Sequence, residues 1–394
     1  MMPITQKKSI QYCRRCVMPS TKPDLRFDSD GICSACRNYE SRVAIDWDSR
    51  KKELVRILDK YRSKDGTNYD CVIPVSGGKD STFQVLKMIE LGMNPLCVTA
   101  TTDKLSDIGR RNIENIKKLG VDYIEASTNP VVRRKINKFT LKEVGDISWP
   151  EHVTIFTIPV RIAVQFGISL IIWGENSQNE YGGPAADAER NLLTRRWLEE
   201  FGGLLGLRVS DLVGQSGIEK RDLIQYTYPS NEELDRVGVT GLFLGYYFPW
   251  DGHRNALVAQ AYGFESYPTI VEGSIVSYEN LDNLQMRIHD YFKFLKFGFD
   301  RCWDWASVHI RRERLTREEG IELTKKSGGK FPWSYLGCPL EDILDDIDMT
   351  LEEFIKVCDR FTNKKLFKVD ASGELIKDKL GNLSKINDDN LDSL

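Results

Sequence analysis

Two groups of residues carry chemistry by their type and spacing. The first is Ser76-Gly77-Gly78-Lys79-Asp80-Ser81. Its two glycines permit positive φ and a close approach of backbone amides to an anion. Lys79 adds a positive charge for phosphate oxygens, and the Ser76 and Ser81 hydroxyls add donors. Asp80 is suited to a magnesium ion bridging those phosphates. The second group is Cys13, Cys16, Cys33 and Cys36, spaced C-x2-C-x16-C-x2-C. A two-residue gap brings both thiolates of a pair to one tetrahedral ion. Pro19, Pro23, Asp28, Asp30 and Gly31 are turn formers that let the chain return between the pairs. A four-thiolate site is closed, so the expected role is structural, with zinc as the default and iron left open.

The elements around these residues follow from the pattern of apolar runs. Asp70–Val75 reads as a buried strand, and the run after Ser81 has helical periodicity. Strand, glycine turn and helix together aim a helix N-terminus at an anion. A strand at Pro95–Thr101, a helix at Ser106–Leu119, a strand at Val121–Ser127, a helix at His152–Phe166 and a strand at Ile168–Trp173 continue the alternation. That is the order of a doubly wound parallel α/β sheet, whose ligands sit at the carboxyl ends of strands. Gly174, Glu175 and Asn176 end the last strand and fall on the same rim as the glycine loop. They are candidate ATP or magnesium contacts, with a plain polar turn as the alternative.

Composition sets limits. The chain has 394 residues, 41% hydrophobic and 29% charged, enough for two or three domains with real cores. The net charge of −3 argues against a surface built mainly to hold nucleic acid. Nine cysteines are too few for a disulfide scaffold. Cys71 and Cys97 lie in apolar strand-like runs and read as core, and Cys302, Cys338 and Cys358 form no close pair. The first residues have no apolar run of signal-peptide length. Val153–Gly174 contains Arg161 and Gln165 and reads as a buried helix and strand, not a membrane span. A cytoplasmic protein is expected.

The six-residue glycine loop resembles the SGGxDS pyrophosphate loop (PP-loop) of the ATP pyrophosphatase superfamily. Longer strings narrow the likeness: WGENSQNEYGG (173–183), FLGYYFPWDGHRN (243–255) and KFGFDRCWDWASVHIRRERLTREEG (296–320). With the cysteine pairs, they resemble the bacterial N-acetyl sugar amidotransferases, the WbpG and PseA group, from about Tyr12 to Glu353. The resemblance implies ATP-dependent, AMP-forming conversion of an acetamido group on a nucleotide-activated sugar to an acetamidino group. It implies products destined for lipopolysaccharide O-antigen or flagellin glycan. Nitrogen would come as ammonia from a separate glutaminase subunit. The chain shows no obvious glutaminase machinery of its own, since it opens Met1-Met2-Pro3 rather than with a cysteine. Glu180 and Tyr181, inside the first string, and Arg301 and Asp304, inside the third, are the substrate contacts the likeness suggests. The expected cofactors are ATP, Mg2+ and structural Zn2+.

The expected layout is a zinc-ribbon-like module at 1–45, a PP-loop domain at 46–265 with a helical insertion at about 184–240, and a mostly helical region at 266–394. Residues 242–248 read as a further strand, and 280–362 as helical throughout. Beyond that strand, Asp251, His253 and Arg254 lie where a rim loop faces substrate; a helix cap by Asp251 is the alternative. Among Arg311, Arg312, Arg314 and Arg317, Arg311 is the candidate clamp for phosphate or carboxylate. The alternative is a solvated face paired with Glu313, Glu318 and Glu319. The end from about Phe367 is unplaced, and INDDNLDSL has the composition of a frayed tail. A homo-oligomer stays open. Two other functions compete: a PP-loop tRNA-modifying enzyme of the thiolation or lysidine type, and a scaffold with a degenerate nucleotide site.

Overall fold

A computed structural model describes residues 10–175, the backbone of 192–193, and residues 204–386. The sheet forms from short apolar strands: β1 (Cys71–Pro74), β2 (Pro95–Ala100), β3 (Asp122–Ala126), β4 (Leu170–Trp173), β5 (Leu192–Leu193) and β6 (Thr240–Phe243). The order is β3-β2-β1-β4-β6-β5. The first five of these are parallel, and only β5 is antiparallel, on β6. Central parallel strands bury both faces, which is why they read as unbroken apolar runs.

Helices cover both faces, as a doubly wound sheet requires. The preceding helices are α1 (Ser34–Ser41) and α2 (Trp47–Tyr61); α3 (Lys79–Glu90), α4 (Asp107–Lys117), α5 (Pro130–Val144) and α6 (Trp149–Phe166) follow. On one face, Cys71, Ile73, Cys97, Leu170 and Ile172 pack with Leu54 and Leu58 of α2 and Phe83, Val85 and Met88 of α3. On the other, Val72, Leu96, Val98 and Ile171 pack with Ile158, Val160 and Ala163 of α6. Both Cys71 and Cys97 are therefore core residues.

The strand expected at 242–248 is shorter and earlier, at Thr240–Phe243. Gly245 breaks the run: its amide bonds to Gly174 O at 3.0 Å, and Tyr247 N bonds back to Leu244 O at 2.9 Å. The region expected as a helical insertion has one described α-helix, α7 (Asn231–Val237). Before it come short 3-10 segments, and Leu212, Leu223 and Tyr226 within them, with Ile218 between, pack on Ile136, Trp149 and Val153. The expected all-helical stretch 280–362 is instead α9 (Met286–Phe297), α10 (Arg301–Arg311), α11 (Arg317–Ser327), α12 (Leu340–Asp345) and α13 (Leu351–Phe361), following α8 (Gly252–Ala261). A two-stranded hairpin, β7 (Ser334–Tyr335) and β8 (Cys338–Pro339), interrupts it. Its turn residues Leu336 and Gly337 both have positive φ, the geometry a tight hairpin needs. Residues from Phe367 onward are not loose. Phe367 is fully buried, and bridges Phe367–Lys385, Val369–Leu375 and Lys377–Leu383 fold the segment back. Residues 387–394 lie outside the described residues.

The N-terminal cysteines and the C-terminal helices share one core. Tyr12, Val17 and Met18 pack with Phe294, Leu295, Phe299, Trp303, Ile310 and Ile321. Thr21 Oγ1 donates to Phe297 O at 2.5 Å, and Arg317 Nε donates to Cys13 O at 3.4 Å. Among the described residues, no helix is long and apolar enough to cross a membrane.

Candidate active site

The order of the strands decides where a ligand fits. From β1 the chain moves outward through β2 to β3, then returns to the other side of β1 with β4. The switch point lies between β1 and β4, where the loops leaving both strands diverge and open a crevice. A cavity of about 350 Å³ occupies this place. Pro74, Ala100, Trp173 and Phe243 line it from the four strand ends, with Ser76, Asp80, Ser81, Gly174 and Glu175 from the loops beyond. The glycine loop and Gly174-Glu175 thus lie on one rim. Asn176 lies outside the described residues, as do Glu180 and Tyr181.

The glycine loop is held by sterics. Gly77 has φ +86°, and a Cβ there would stand 2.9 Å from the backbone N of Ile113 in α4. Only glycine fits both demands. Gly78 caps α3, and its amide donates to Ser76 Oγ at 3.3 Å. The Ser81 and Thr82 hydroxyls both donate back to Gly78 O at 3.0 Å. Ser81 therefore supports the loop's shape in this conformation.

Lys79 does not extend into the cavity. It is buried, with Nζ bonded to Asp80 Oδ2 at 2.5 Å and to Glu279 Oε1, over the ring of Trp305 at 5.4 Å. Burial works against its charge, but Asp80 and Glu279 outweigh that and hold its pKa well above the usual lysine value. Asp80 Oδ1 accepts from Asn255 Nδ2 at 2.8 Å. The amino end of α8 closes on this group: a Cβ on Gly252 would meet Trp305 at 2.8 Å and Lys79 Cε at 3.2 Å.

The acidic wall of the cavity was missed by sequence reasoning. Glu151, in the first turn of α6, accepts from Thr102 Oγ1 at 2.6 Å and Asn283 Nδ2 at 2.5 Å. Burial, then the nearby carboxylates Asp103 and Asp282, pushes its pKa up to about 7. Burial also pushes Asp282 up to about 6. Both line the cavity. Trp173 also lines the cavity, and its Nε1 is a buried donor with no hydrogen-bond partner. No motif announces Glu151, Glu279 or Asp282 in the sequence. Asn255 could have been found, because it ends the FLGYYFPWDGHRN string.

The remaining expected substrate contacts lie elsewhere. Asp251 caps α8, accepting from His253 N at 3.0 Å, and pairs with Arg312 and with Arg314 at 2.6 and 3.2 Å. Burial opposes its ionisation, but the Arg314 hydrogen bond and both arginine charges hold its pKa near 2. The cap alternative is realised, with two arginines added. His253 Nδ1 is 3.2 Å from Tyr278 Oη, which is 3.2 Å from His309 Nε2, and Arg314 Nε donates to His309 Nδ1 at 3.0 Å. Burial and Arg314 lower the pKa of His309 to about 4, so it is neutral. With Nδ1 accepting, its Nε2 carries the proton. Arg254 is exposed. Arg301 pairs with Asp290 at 3.2 Å, Asp304 pairs with Lys293, and Arg311 is buried. None of these three residues of α10 lines the cavity. Nor do the arginines form a solvated face, since Arg312 and Arg314 are committed to Asp251 and Glu319 caps α11 with Thr316.

The four cysteines fit a zinc ion. Sulfurs at about 2.3 Å from one tetrahedral ion stand about 3.8 Å apart. Cys13 and Cys36 Sγ are 3.9 Å apart, and Cys16 and Cys33 Sγ are 3.8 Å apart. All four are fully buried, and Cys13 Sγ accepts amides from Cys16 and Cys33 at 3.5 and 3.3 Å. Backbone amides on sulfur are the usual support of such a knuckle.

Fold and site together define an α/β protein with a glycine loop at a parallel sheet's switch point, completed by a C-terminal helical region. That region, residues 264–380, matches the family model described as LPS biosynthesis protein WbpG-like, C-terminal domain. The chain is also 28% identical over 152 residues to an uncharacterized protein of Methanocaldococcus jannaschii. The match takes in 34% of this chain and 54% of that protein, so the chain spans about half the length of the curated relative it matches. Among solved structures, the NMN synthetase from Francisella tularensis is similar at 15% identity, with a TM-score of 0.27, over 57% of this chain and 98% of that one.

Proposed function

We propose that the protein is an ATP-dependent, AMP-forming amidotransferase acting on the acetamido group of a nucleotide-activated sugar, in lipopolysaccharide or flagellin glycan biosynthesis. One observation carries this reading. The intact Ser76–Ser81 loop and the WbpG-like segment build the same cleft, because Glu279 pairs with Lys79 and Asp282 lines the cavity.

The chemistry suits the groups present. An amide oxygen leaves poorly. Attack of that oxygen on the α-phosphorus of ATP expels pyrophosphate and turns the oxygen into part of an AMP leaving group. Ammonia then adds to the carbon, the C–O bond breaks, AMP departs, and a proton is released as the amidine forms. The loop amides balance charge on the phosphates, and Lys79 would join them once nucleotide draws its ammonium away from Asp80 and Glu279. Asp80 and Glu279 offer carboxylate oxygens for a magnesium ion, which would neutralise the phosphates when bound. Glu151, poised near neutrality, is suited to take the proton from nitrogen. No nucleophilic side chain is needed. Ammonia would be delivered by a separate glutaminase in the cytoplasm.

The test is the bond broken in ATP. Purified protein with ATP, magnesium, ammonium chloride and a panel of UDP- and CMP-linked acetamido sugars is expected to release AMP and pyrophosphate only with a matching sugar. Release of ADP and phosphate, or AMP formation that depends on tRNA rather than sugar, would overturn the reading.

A further inference from the structure

The chain contains four histidines, and they form two pairs. One pair is His253 and His309, bridged by Tyr278. The other, His152 and His289, meets on a single buried carboxylate, Asp146. These three residues come from different places. Asp146 lies in the turn between α5 and α6, His152 in the first turn of α6, and His289 in the first turn of α9. His289 Nδ1 is 2.8 Å from Asp146 Oδ1, and His152 Nδ1 is 3.4 Å from Asp146 Oδ2. The three ligand atoms all lie within 4.8 Å of one another.

A hydrogen-bond account leaves this group incomplete. His152 Nδ1 is a buried nitrogen without a hydrogen-bond partner. The carboxylate is not free to turn toward it, because Ser148 N donates to Oδ1 at 2.9 Å. The turn itself is fixed. Gly145 ends α5 at φ +63°, and Lys296 Nζ donates to the carbonyls of Val144 and Gly145 at 2.7 and 3.0 Å. The donor atoms therefore sit on a rigid frame, with one nitrogen unsatisfied.

A metal ion would complete it. Nitrogen and oxygen ligands about 2.0–2.2 Å from one ion, at octahedral to tetrahedral angles, stand about 3–3.5 Å apart. Of the two nitrogen–oxygen separations, 3.4 Å falls inside that range and 2.8 Å just below it. Two imidazoles and one carboxylate form a donor set for zinc and its neighbours, rather than for magnesium or calcium. The Ser148 amide supplies the outer hydrogen bond that ligating carboxylates usually have. We propose that Asp146, His152 and His289 bind a zinc-class divalent ion, with a remaining position open to water. The histidine side chains are 22% and 24% exposed, which gives that position access. The ion would tie the first turn of α6, next to Glu151, to the first turn of α9.

The test counts metal in the full-length protein. After saturation with zinc and removal of loose ion, elemental analysis is expected to give two zinc ions per chain, one on the cysteines and one here. His289→Ala and Asp146→Asn are each expected to retain one. Retention of the cysteine-bound ion, seen after cobalt exchange as the intense thiolate-to-cobalt band, shows that the variants are folded. In wild-type protein, a second cobalt equivalent is expected to add weak d–d absorption with no further thiolate band, and His152→Ala to abolish it. A single ion in wild-type protein at saturating zinc, or two ions kept by all three variants, would overturn the proposal.

Discussion

Lys79 shows how one residue joins stability to chemistry. Its ammonium is buried between two carboxylates and two aromatic rings. Lys79→Met leaves Asp80 and Glu279 facing each other uncompensated, at an expected cost of roughly 2–3 kcal/mol in denaturant melts. AMP formation should fall by about 10²–10³. Adding Glu279→Gln should restore part of the stability and none of the activity; recovery of activity would show that Lys79 serves only the fold. Glu151 makes a second prediction. In the folded protein it holds its proton to about pH 7, whereas an unfolded glutamate releases it near 4.5. Between those values the folded state binds more protons, so this group's contribution to stability falls as pH rises. Glu151→Gln cannot ionise. Its melting temperature relative to wild type should therefore be higher at pH 8 than at pH 4.5. Its turnover with ammonium should drop by about 10²-fold or more if the carboxylate moves a proton. An equal shift in melting temperature at both pH values would contradict the placement of that proton.

Among the elements, the β1–α3 junction is the most exacting. Gly77→Ala forces a side chain into left-handed backbone and against α4. The expected cost is about 1–3 kcal/mol, with a larger loss of ATP affinity than of overall fold. Isothermal binding measured beside thermal melts separates the two. This junction was legible in sequence because the glycines follow a short apolar run and precede a helical period. The parallel strands were legible for the same reason. The run at 242–248 misled because aromatic residues favour strands and a single glycine, Gly245, decides the turn. The hairpin at Ser334–Cys338 was hidden because its first turn position is Leu336, not the usual asparagine or glycine. The acidic wall was illegible for another reason. Glu151 and Asp282 come from segments far apart in sequence, and only burial and nearby carboxylates make them special. Arg301, Asp304 and Arg311 sit away from the cavity because a family-like string preserves packing as readily as binding.

For the whole molecule, the cysteine knuckle and the WbpG-like segment stand or fall together. Tyr12, Val17 and Met18 share an apolar core with Phe294, Trp303 and Ile310. Cys16→Ser, or removal of the cysteine-bound metal, should therefore lower the melting of the C-terminal region as well as the knuckle. Hydrogen exchange is expected to show lost protection in α9 and α10, and protection there that survives metal loss would contradict the shared core. The central claim is that the cleft transfers AMP to an acetamido oxygen, and heavy oxygen tests it most directly. The identified sugar nucleotide, labelled with oxygen-18 in its acetamido carbonyl, is incubated with the protein, ATP, magnesium and ammonium. Mass spectrometry then reads the AMP and the sugar. The account predicts AMP carrying the heavy oxygen and a sugar with NH in place of that oxygen, in equal amounts. Unlabelled AMP alongside a converted sugar would contradict adenylation of the acetamido group.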